Sequence, residues 1–459
     1  MKLSHLLPIA LAALAACTSV DTRRELDLSR VSSDLMARTG FDVDATSATA
    51  ARERLESPLG PDDAVQVALS LDPQVRAHLA ELGGASAARV QAGLLRNPLL
   101  QLSATSFSNG TDLDVGLSQP LLDVFALDAR RDAAEARVDA ARARTARELV
   151  RLVFEVRRAW YEAQFDEREL EVVRERAAAE EAANRLANEL HEAGNVTDVF
   201  LAASDKGAAA ARTELVEAER RAQASRELLA QRLGVPSSAA ELQLSFDGSA
   251  AELPELPKVD LVEAGVQTSL ELRELRAETA ALARKAGIAD WGAWLDRSSA
   301  GIAMRREGGR EGGGASLSIP LPLFDTGVAA RAAVEFELEA SAARLERREL
   351  DVAATARRLR ADYESRRARA GLERDERLPV ARRAVHAALQ QYNAMQIGVF
   401  DVLDARRDEL DTALDALRSE REGRSALLQI EEFLAGSLPA ERTDSEFATL
   451  SSFAATEQR

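Results

Sequence analysis

The sequence contains very little cysteine and no long apolar run beyond its first residues. Cys17 is the single cysteine in 459 residues, so no disulfide can form within one chain and stability must come from packing. Aromatic residues make up only 4% of the chain, and alanine, arginine, glutamate and leucine dominate instead. That composition is typical of long helices and coiled coils. Apart from the N-terminal leader, no run of about 18 apolar residues occurs, which excludes a transmembrane helix.

Residues that carry chemistry are also scarce. The net charge of −17 argues against a nucleic-acid-binding surface. The chain has four histidines, scattered at His5, His78, His191 and His386, without the spacing of metal ligands. No Ser/His/Asp set has local support, and no phosphate-binding loop is present. The sequence therefore predicts no catalytic residue, no metal site, no cofactor and no enzymatic activity.

The first residues form an export leader. Lys2 precedes an apolar stretch, and small residues lead up to the cysteine in Leu14-Ala15-Ala16-Cys17. This tetrapeptide resembles the lipobox of bacterial lipoproteins. The resemblance implies that residues 1–16 are removed and that Cys17 carries lipid, including a palmitate-type acyl chain. The alternative is a plain signal peptide with an incidental cysteine.

The rest of the chain consists of two copies of one unit, because matching segments recur in the same order. The matches are 63–69 with 260–266, 117–121 with 317–321, and 192–196 with 393–397. The predicted divisions are a signal peptide (1–16), a lead-in (17–60), the first repeat (61–237), a linker (238–258), the second repeat (259–436) and a polar, disordered tail (437–459).

Each repeat begins with an amphipathic helix, predicted over 62–91 in the first copy, and continues with a β-hairpin. Apolar residues alternate with polar ones along the strands, for example at Leu113, Val115 and Leu117, and Asn109-Gly110 supplies a turn. The strands approach the roughly 9–11 residues of a membrane strand. A lipid-facing hairpin and a half-buried soluble hairpin fit this pattern equally well.

The second hairpin has its own features. Ile302 and Met304 lie in one strand and Leu317 in the other, and the glycine-rich residues 308–314 are predicted to form the loop between them. Trp291 and Trp294 precede this hairpin. They fit anchors at a membrane interface, and ordinary packing is the alternative.

A very long helix follows each hairpin. Residues 127–193 contain no proline or glycine, and apolar residues recur at steps of three and four. At about 1.5 Å per residue, such a helix is on the order of 100 Å long. Residues 328–394 are interrupted only by Gly371 and Pro379. Helices of this length must pack side by side as in a coiled coil, each reversing at a tip into a shorter helix that ends near Gly234 or Gly436.

Four short motifs in this order resemble the TolC-like outer-membrane efflux proteins over residues 62–436. The motifs are Asp63-Ala64-Val65 with Asp72-Pro73, the junction Ile319-Pro320-Leu321-Pro322-Leu323-Phe324-Asp325-Thr326-Gly327, the tip Glu192-Ala193-Gly194-Asn195-Val196-Thr197, and the segment Gly398-Val399-Phe400-Asp401-Val402-Leu403-Asp404-Ala405-Arg406. Each motif is weak alone, and their order within a duplicated unit makes the resemblance specific.

The resemblance implies a mainly α fold with a small β part. Three chains would form a 12-stranded β-barrel that continues into an α-helical periplasmic tunnel. It implies a bacterial outer membrane protein, lipid-anchored and embedded in outer membrane lipid, which passively carries cargo out of an efflux or type I secretion system. The implied partners are two further copies, a periplasmic adaptor (membrane fusion) protein and an inner-membrane transporter. The alternative is a periplasmic coiled-coil scaffold lipoprotein without a pore.

Asp401 and Asp404 lie three residues apart, so they share a face of the returning helix. The resemblance places them at the narrow tunnel entrance, where three chains would form acidic rings that favour cations. The alternative is two acids that offset a helix dipole. In the first repeat, either Asp198 or Phe200 occupies the equivalent position.

The two tips are the docking points that the resemblance implies for the adaptor. They comprise Gly194, Asn195, Val196 and Thr197 in the first repeat, and Gln396, Ile397 and Gly398 in the second. Simple turn chemistry explains Gly194 equally well. The second tip departs from the family because Met395 stands where glycine is usual. The arginine and tyrosine that clamp the closed tip in well-known members have only Tyr392 and Arg406-Arg407 as nearby counterparts.

Overall fold

The computed structural model describes residues 28–43, 47–107, 110–121, 125–235, 242–245, 253–295, 298–307, 310–321, 323 and 326–439. The chain divides into two compact units. The strand unit comprises Met1–Val31, His78–Arg142 and Arg276–Ala342. The helical unit comprises Ser32–Ala77, Ala143–Leu275 and Ala343–Arg459. Cys17, Asn109 and residues 440–459 of the predicted tail lie outside the described residues.

The described elements repeat in the order that the sequence predicts. The first repeat contains α3 (Pro61–Leu71), α4 (Pro73–Ala92), β1 (Leu99–Phe107), β2 (Gly110–Pro120), α5 (Leu127–Glu192) and α6 (Asp198–Arg232), after α1 (Leu28–Thr39) and α2 (Ala48–Arg54). The second contains α7 (Leu261–Thr268), α8 (Leu270–Leu295), β3 (Ser299–Glu307), β4 (Arg310–Ser318), α9 (Val328–Leu372), a π-helical turn (Glu373–Arg377), α10 (Leu378–Asn393) and α11 (Val399–Leu434). The duplicated hairpin and long-helix plan is therefore present in the structure.

The four strands of the strand unit form one antiparallel sheet in the order β1-β2-β3-β4. Val115 lies opposite Leu102 and Met304, so apolar side chains collect on one face of the sheet. The neighbouring Asp114 lies on the other face, where its Oδ1 accepts a 2.6 Å hydrogen bond from Arg305 Nε. The chain leaves the apolar face open, because Leu102 is 70% exposed and Val115 43%. In the single chain this face is therefore not buried, as it would be in a half-buried soluble hairpin.

The prediction of a glycine-rich loop over 308–314 is wrong from Arg310 onward, where β4 begins. Gly312, Gly313 and Gly314 lie in β4, paired with Arg305, Met304 and Ala303 respectively. Glycine has no side chain that favours a strand, so its local preference is weak. Pairing with β3 decides the conformation here. Residues 308 and 309 lie outside the described residues.

The single helix predicted over 62–91 is also wrong, because α3 and α4 are separate. Asp72 has a ψ of 123° and ends α3, since the residue before a proline disfavours helical backbone. Its Oδ1 then accepts a 2.8 Å hydrogen bond from Gln74 N at the start of α4. The second repeat breaks at Ser269, whose ψ is 115°. Its Oγ accepts a bond from Leu272 N, so the break recurs without a proline.

The helical unit packs its long helices through small and branched side chains. α5 runs for 66 residues, as the lack of proline and glycine predicts, and α6 and α11 return over 35 and 36 residues. One buried cluster joins the three helices through Leu170, Val173, Ala218, Ala222 and Leu414. Alanines at such contacts let helix axes approach closely, which favours the side-by-side packing of a coiled coil.

A buried carboxylate adds an electrostatic contact to the same three helices. The Glu169 side chain is 3% exposed. Its Oε1 accepts 3.0 Å hydrogen bonds from Arg221 of α6 and Arg418 of α11. Arg421 Nη1 lies 3.8 Å from its Oε2. Burial acts to raise the pKa of Glu169, but the three arginines outweigh burial and hold that pKa below its ordinary value.

Residues of the predicted lead-in and of the predicted linker between the repeats pack within the helical unit. Arg38 of α1 donates hydrogen bonds of 2.8 and 2.9 Å to the carbonyls of Thr268 and Ala435 at the ends of α7 and α11. Gly436 allows this approach, since its φ is 98° and an added Cβ would lie 2.3 Å from the Thr268 oxygen. In the predicted linker, the Pro254 carbonyl accepts a 2.6 Å bond from Tyr363. Both segments thus contribute contacts to the helical unit.

The second long helix is interrupted near Gly371 and Pro379, as the sequence predicts. The interruption takes the form of the π-helical turn Glu373–Arg377. A groove of about 690 Å³ lies beside it, lined by α5, α9, the turn, α10 and α11. Most of its charged side chains are paired, for example Arg168 with Glu420 at 3.0 Å. The groove therefore presents compensated charge and no cluster of reactive groups.

None of the described helices combines the length and the apolar character needed to traverse a lipid bilayer.

Candidate functional site: the two hairpin tips

The first tip reverses the chain between α5 and α6. Asn195 N donates to Leu190 O at 2.8 Å and Gly194 N donates to His191 O at 2.9 Å, which is a Schellman motif. Gly194 has a φ of 74°, a left-handed conformation that glycine adopts without strain. Thr197 then caps α6, since its Oγ1 accepts a bond from Phe200 N. Local turn chemistry thus accounts for the shape of this tip.

The second tip, between α10 and α11, has the same hydrogen bonds with different residues. Gln396 N donates to Gln391 O at 2.9 Å, and Met395 N donates to Tyr392 O at 2.8 Å. Met395 takes the place of Gly194 and adopts the left-handed conformation with a φ of 56°. A residue with a Cβ pays about 1–2 kcal/mol in that conformation. Gly398 occupies the N-cap position of α11, as Thr197 does for α6.

The two caps give the register between the repeats that the sequence left open. Gly194 corresponds to Met395 and Thr197 to Gly398, so counting onward places Phe200, and not Asp198, at the position of Asp401. Asp198 instead lies 2.6 Å from His191 Nε2, across the first tip. In this register Asp401 and Asp404 have no acidic counterparts in the first repeat.

An aromatic contact brings the two tips together. The rings of Phe200 and Phe400 meet edge to face with centroids 4.8 Å apart. The first turns of α6 and α11 are therefore neighbours in one chain. The sequence showed both residues, but their contact depends on the packing of helices that are distant in sequence.

Asp401 and Asp404 are both exposed and lie near the start of α11. Asp401 Oδ2 accepts a 2.8 Å hydrogen bond from Gly398 N, so this carboxylate also acts as a helix cap. Asp404 Oδ1 accepts a 2.8 Å bond from Arg407 Nη1. Within the chain, Asp404 thus has a cationic partner and Asp401 has a backbone N–H.

The arginines beside the second tip bind glutamates of α5. Arg407 makes two hydrogen bonds with the carboxylate of Glu180, one of them 2.9 Å long. This contact raises the pKa of Arg407 above its ordinary value. Arg406 donates to Glu175 at 3.0 Å, whereas Tyr392 is 43% exposed. The arginines therefore join α11 to α5, a role that the sequence did not predict.

The other predicted residues are placed as follows. The tip residues Asn195, Val196, Gln396 and Ile397 lie in the two turns, with Asn195 and Gln396 exposed. Trp291 and Trp294 fall within α8, and their side chains lie outside the described residues. Among the residues that the structure describes, no group of histidine, cysteine and acidic side chains could hold a metal ion.

Comparison with known proteins agrees with the repeat seen in the sequence. Residues 64–235 match the model of a family described as "Outer membrane efflux protein". The matched residues cover nearly all of the first repeat. The predicted resemblance to TolC-like efflux proteins is thereby confirmed, and the family is one of channels and not of enzymes. The search of curated protein sequences found no match to this chain.

Solved outer-membrane channels share the fold of most of the chain. The channel OprN superposes with a TM-score of 0.68 at 18% identity, covering 88% of this chain and 96% of OprN. The outer membrane protein VceC of Vibrio cholerae gives 0.65 at 17% identity, covering 83% and 97%. The MtrE outer membrane channel of Neisseria gonorrhoeae, solved in an open state, gives 0.63 at 18% identity, covering 82% and 89%. The likeness spans both repeats, so the second repeat shares the efflux-protein fold although the family model matches only the first.

Proposed function

We propose that this protein is the outer-membrane exit duct of a tripartite efflux or type I secretion system. The observation that carries the proposal is the four-stranded sheet, whose apolar face the chain leaves open, in an efflux-protein repeat. A periplasmic scaffold needs only the long helices and has no use for two period-two hairpins at equivalent places. The duct is passive and performs no covalent chemistry.

The sheet supports the proposed assembly as a trimer. β1 and β4 lie at its edges, and each pairs with one neighbour among the described residues. Open strand edges are not viable in lipid, so a membrane sheet has to close. Three chains of four strands close a 12-stranded barrel with cyclic symmetry, and their helices continue as a periplasmic tunnel. The long helices would lead to the tips, where a periplasmic adaptor docks and links the duct to an inner-membrane transporter.

Conductance distinguishes the duct from the scaffold. Purified protein added to a planar lipid bilayer should produce discrete single-channel currents. A matched preparation that lacks residues 99–120 and 299–318, the two hairpins, should produce none. A full-length protein that binds membranes and never conducts would support the coiled-coil scaffold lipoprotein.

The acidic gate gives a prediction for ion selectivity. Three chains would place Asp401 and Asp404 around the tunnel entrance, where like charges enrich cations and bind divalent cations. Changing both to asparagine should lower the cation-to-anion permeability ratio by at least about twofold and relieve block by divalent cations. Asp401→Asn alone should have the larger effect, because Arg407 already compensates Asp404. Reversal potentials in asymmetric salt measure this ratio.

Asparagine keeps an oxygen that can accept the Gly398 N–H, so the cap of α11 is retained. Glu217→Gln removes one charge from an exposed ion pair with Arg220 and serves as the control. Unchanged selectivity in the double variant would leave both acids as helix-start residues.

Lipid attachment gives a prediction at the N-terminus, motivated by Leu14-Ala15-Ala16-Cys17. Mass spectrometry of the mature protein should find residues 1–16 removed and diacylglyceryl and palmitate-type acyl groups on Cys17. Cys17→Ser should lose the lipid and still insert, because the barrel is a second, independent membrane anchor. An unmodified cysteine at the mature N-terminus would show a plain signal peptide instead.

A further inference from the structure

Met395 adopts a left-handed backbone conformation that is typical of glycine, and its apolar side chain is exposed. Among the residues that the structure describes, it is the one non-glycine residue with a positive φ. Its side chain is 94% exposed. The corresponding residue of the first tip is Gly194, where an added Cβ would have no atom within 4 Å. The two tips therefore share a backbone conformation and differ in surface. The first tip has no side chain at Gly194, and the second has the protruding thioether of Met395.

The hydrogen bonds of the turn hold Met395 in its strained backbone conformation, and its own side chain contributes little to offset the strain. An exposed side chain makes few contacts that could compensate for a left-handed backbone, and glycine at this position would remove the strain. Residues held in a strained backbone conformation by the surrounding structure cluster at functional sites. Methionine is also suited to binding surfaces, because its flexible and polarisable side chain fits apolar recesses.

The charges around the two tips indicate which sign of charge a protein that binds them should carry. Residues 189–201 and 389–404 contain no lysine and no arginine. They contain five acids, Glu189, Glu192, Asp198, Asp401 and Asp404, and of these Asp404 pairs with Arg407. The Asp198 side chain is 97% exposed. Complementary charge favours a basic partner surface over an acidic one.

We infer that Met395 is a specificity-determining contact of the second tip. Its thioether side chain inserts into an apolar recess on a basic helical hairpin of the periplasmic adaptor. Gly194 at the first tip has no side chain to insert, so a flat part of the adaptor surface can approach the backbone closely. This inference rests on the proposed function, since it names the chemistry by which the docking tips recognise their partner.

The adaptor is first identified by crosslinking from a residue other than Met395. A photoreactive residue in place of Asn195, irradiated in intact cells, should crosslink a periplasmic protein with a helical hairpin, which is then identified by mass spectrometry and purified. If no such protein is crosslinked, the docking proposal fails and this inference fails with it. If one is found, its purified hairpin domain becomes the probe.

Affinity for that probe then decides the role of Met395. Met395→Gly should weaken binding on the order of tenfold or more, because burial of a methionine side chain is lost. Its thermal midpoint should not fall, because glycine fits the backbone. Met395→Leu should bind within a few fold of the wild type. The exchange Gly194→Met with Met395→Gly should not restore binding, since the methionine then lies at the wrong tip.

Ionic strength tests the charge of the partner. Added salt should weaken binding of the wild type, and Asp198→Asn should reduce that salt dependence. Equal binding by the wild type and Met395→Gly would overturn the inference and leave adaptor docking intact. Binding that salt strengthens would overturn the basic surface.

Discussion

Replacing Val115 with arginine is expected to prevent the proposed trimer from assembling in the outer membrane. Val115 lies on the apolar face of the sheet, opposite Leu102 and Met304, and is 43% exposed in the single chain. In a barrel this face meets lipid, where an arginine near the midplane costs roughly 2–4 kcal/mol. Three chains would bear this cost together. The yield of native trimer, measured by native mass spectrometry of detergent extracts, should fall more than about tenfold.

The neighbouring residue provides the matched control. Gly116→Arg introduces the same side chain one position along β2, on the polar face. The nearest side-chain atom to a Cβ at Gly116 lies 3.7 Å away, which is ordinary contact. This variant should assemble and change conductance instead. If Val115→Arg assembles as well as Gly116→Arg does, then the apolar face of the sheet does not meet lipid.

The largest loss of folding stability is expected from Glu169→Ala. This buried carboxylate binds Arg221 and Arg418 between α5, α6 and α11, so its removal leaves these two arginines without the carboxylate that they share. Removing one member of a buried ion pair costs about 3–5 kcal/mol. The urea midpoint of the helical circular dichroism signal should fall accordingly. Glu219→Ala disrupts an exposed pair with Arg174 and should cost under about 1 kcal/mol.

The same carboxylate predicts a pH dependence. The pKa of Glu169 is lower in the folded protein than its ordinary value, so its ionised form stabilises the fold. That contribution is fully present above the unfolded pKa of about 4.3 and is lost as the pH falls through the lower, folded pKa. The stability difference between wild type and Glu169→Ala should therefore shrink below about pH 4. A difference that stays constant into acid would show that packing, and not charge, makes Glu169 important.

The sequence alone determined the repeated plan of this protein. Alternation at Leu113, Val115 and Leu117 specified a strand with one apolar face, because strand side chains alternate between faces whatever the surroundings. The absence of proline and glycine between residues 127 and 193 specified one uninterrupted helix. Tip residues such as Gly194 and Thr197 act on their own turn through local hydrogen bonds. These signals depend only on neighbouring residues, so a single sequence is enough to predict the strands, helices and turns that they specify.

The tertiary structure decided what depends on distant residues. Pairing with β3 made Gly312, Gly313 and Gly314 part of a strand. Packing between the tips brought Phe200 against Phe400, and the two caps placed Phe200 at the position of Asp401. Arg407 and Glu180 are 227 residues apart and bind each other only because α11 packs on α5. The left-handed Met395 likewise follows from the reversal between two packed helices, since methionine has no local preference for that conformation.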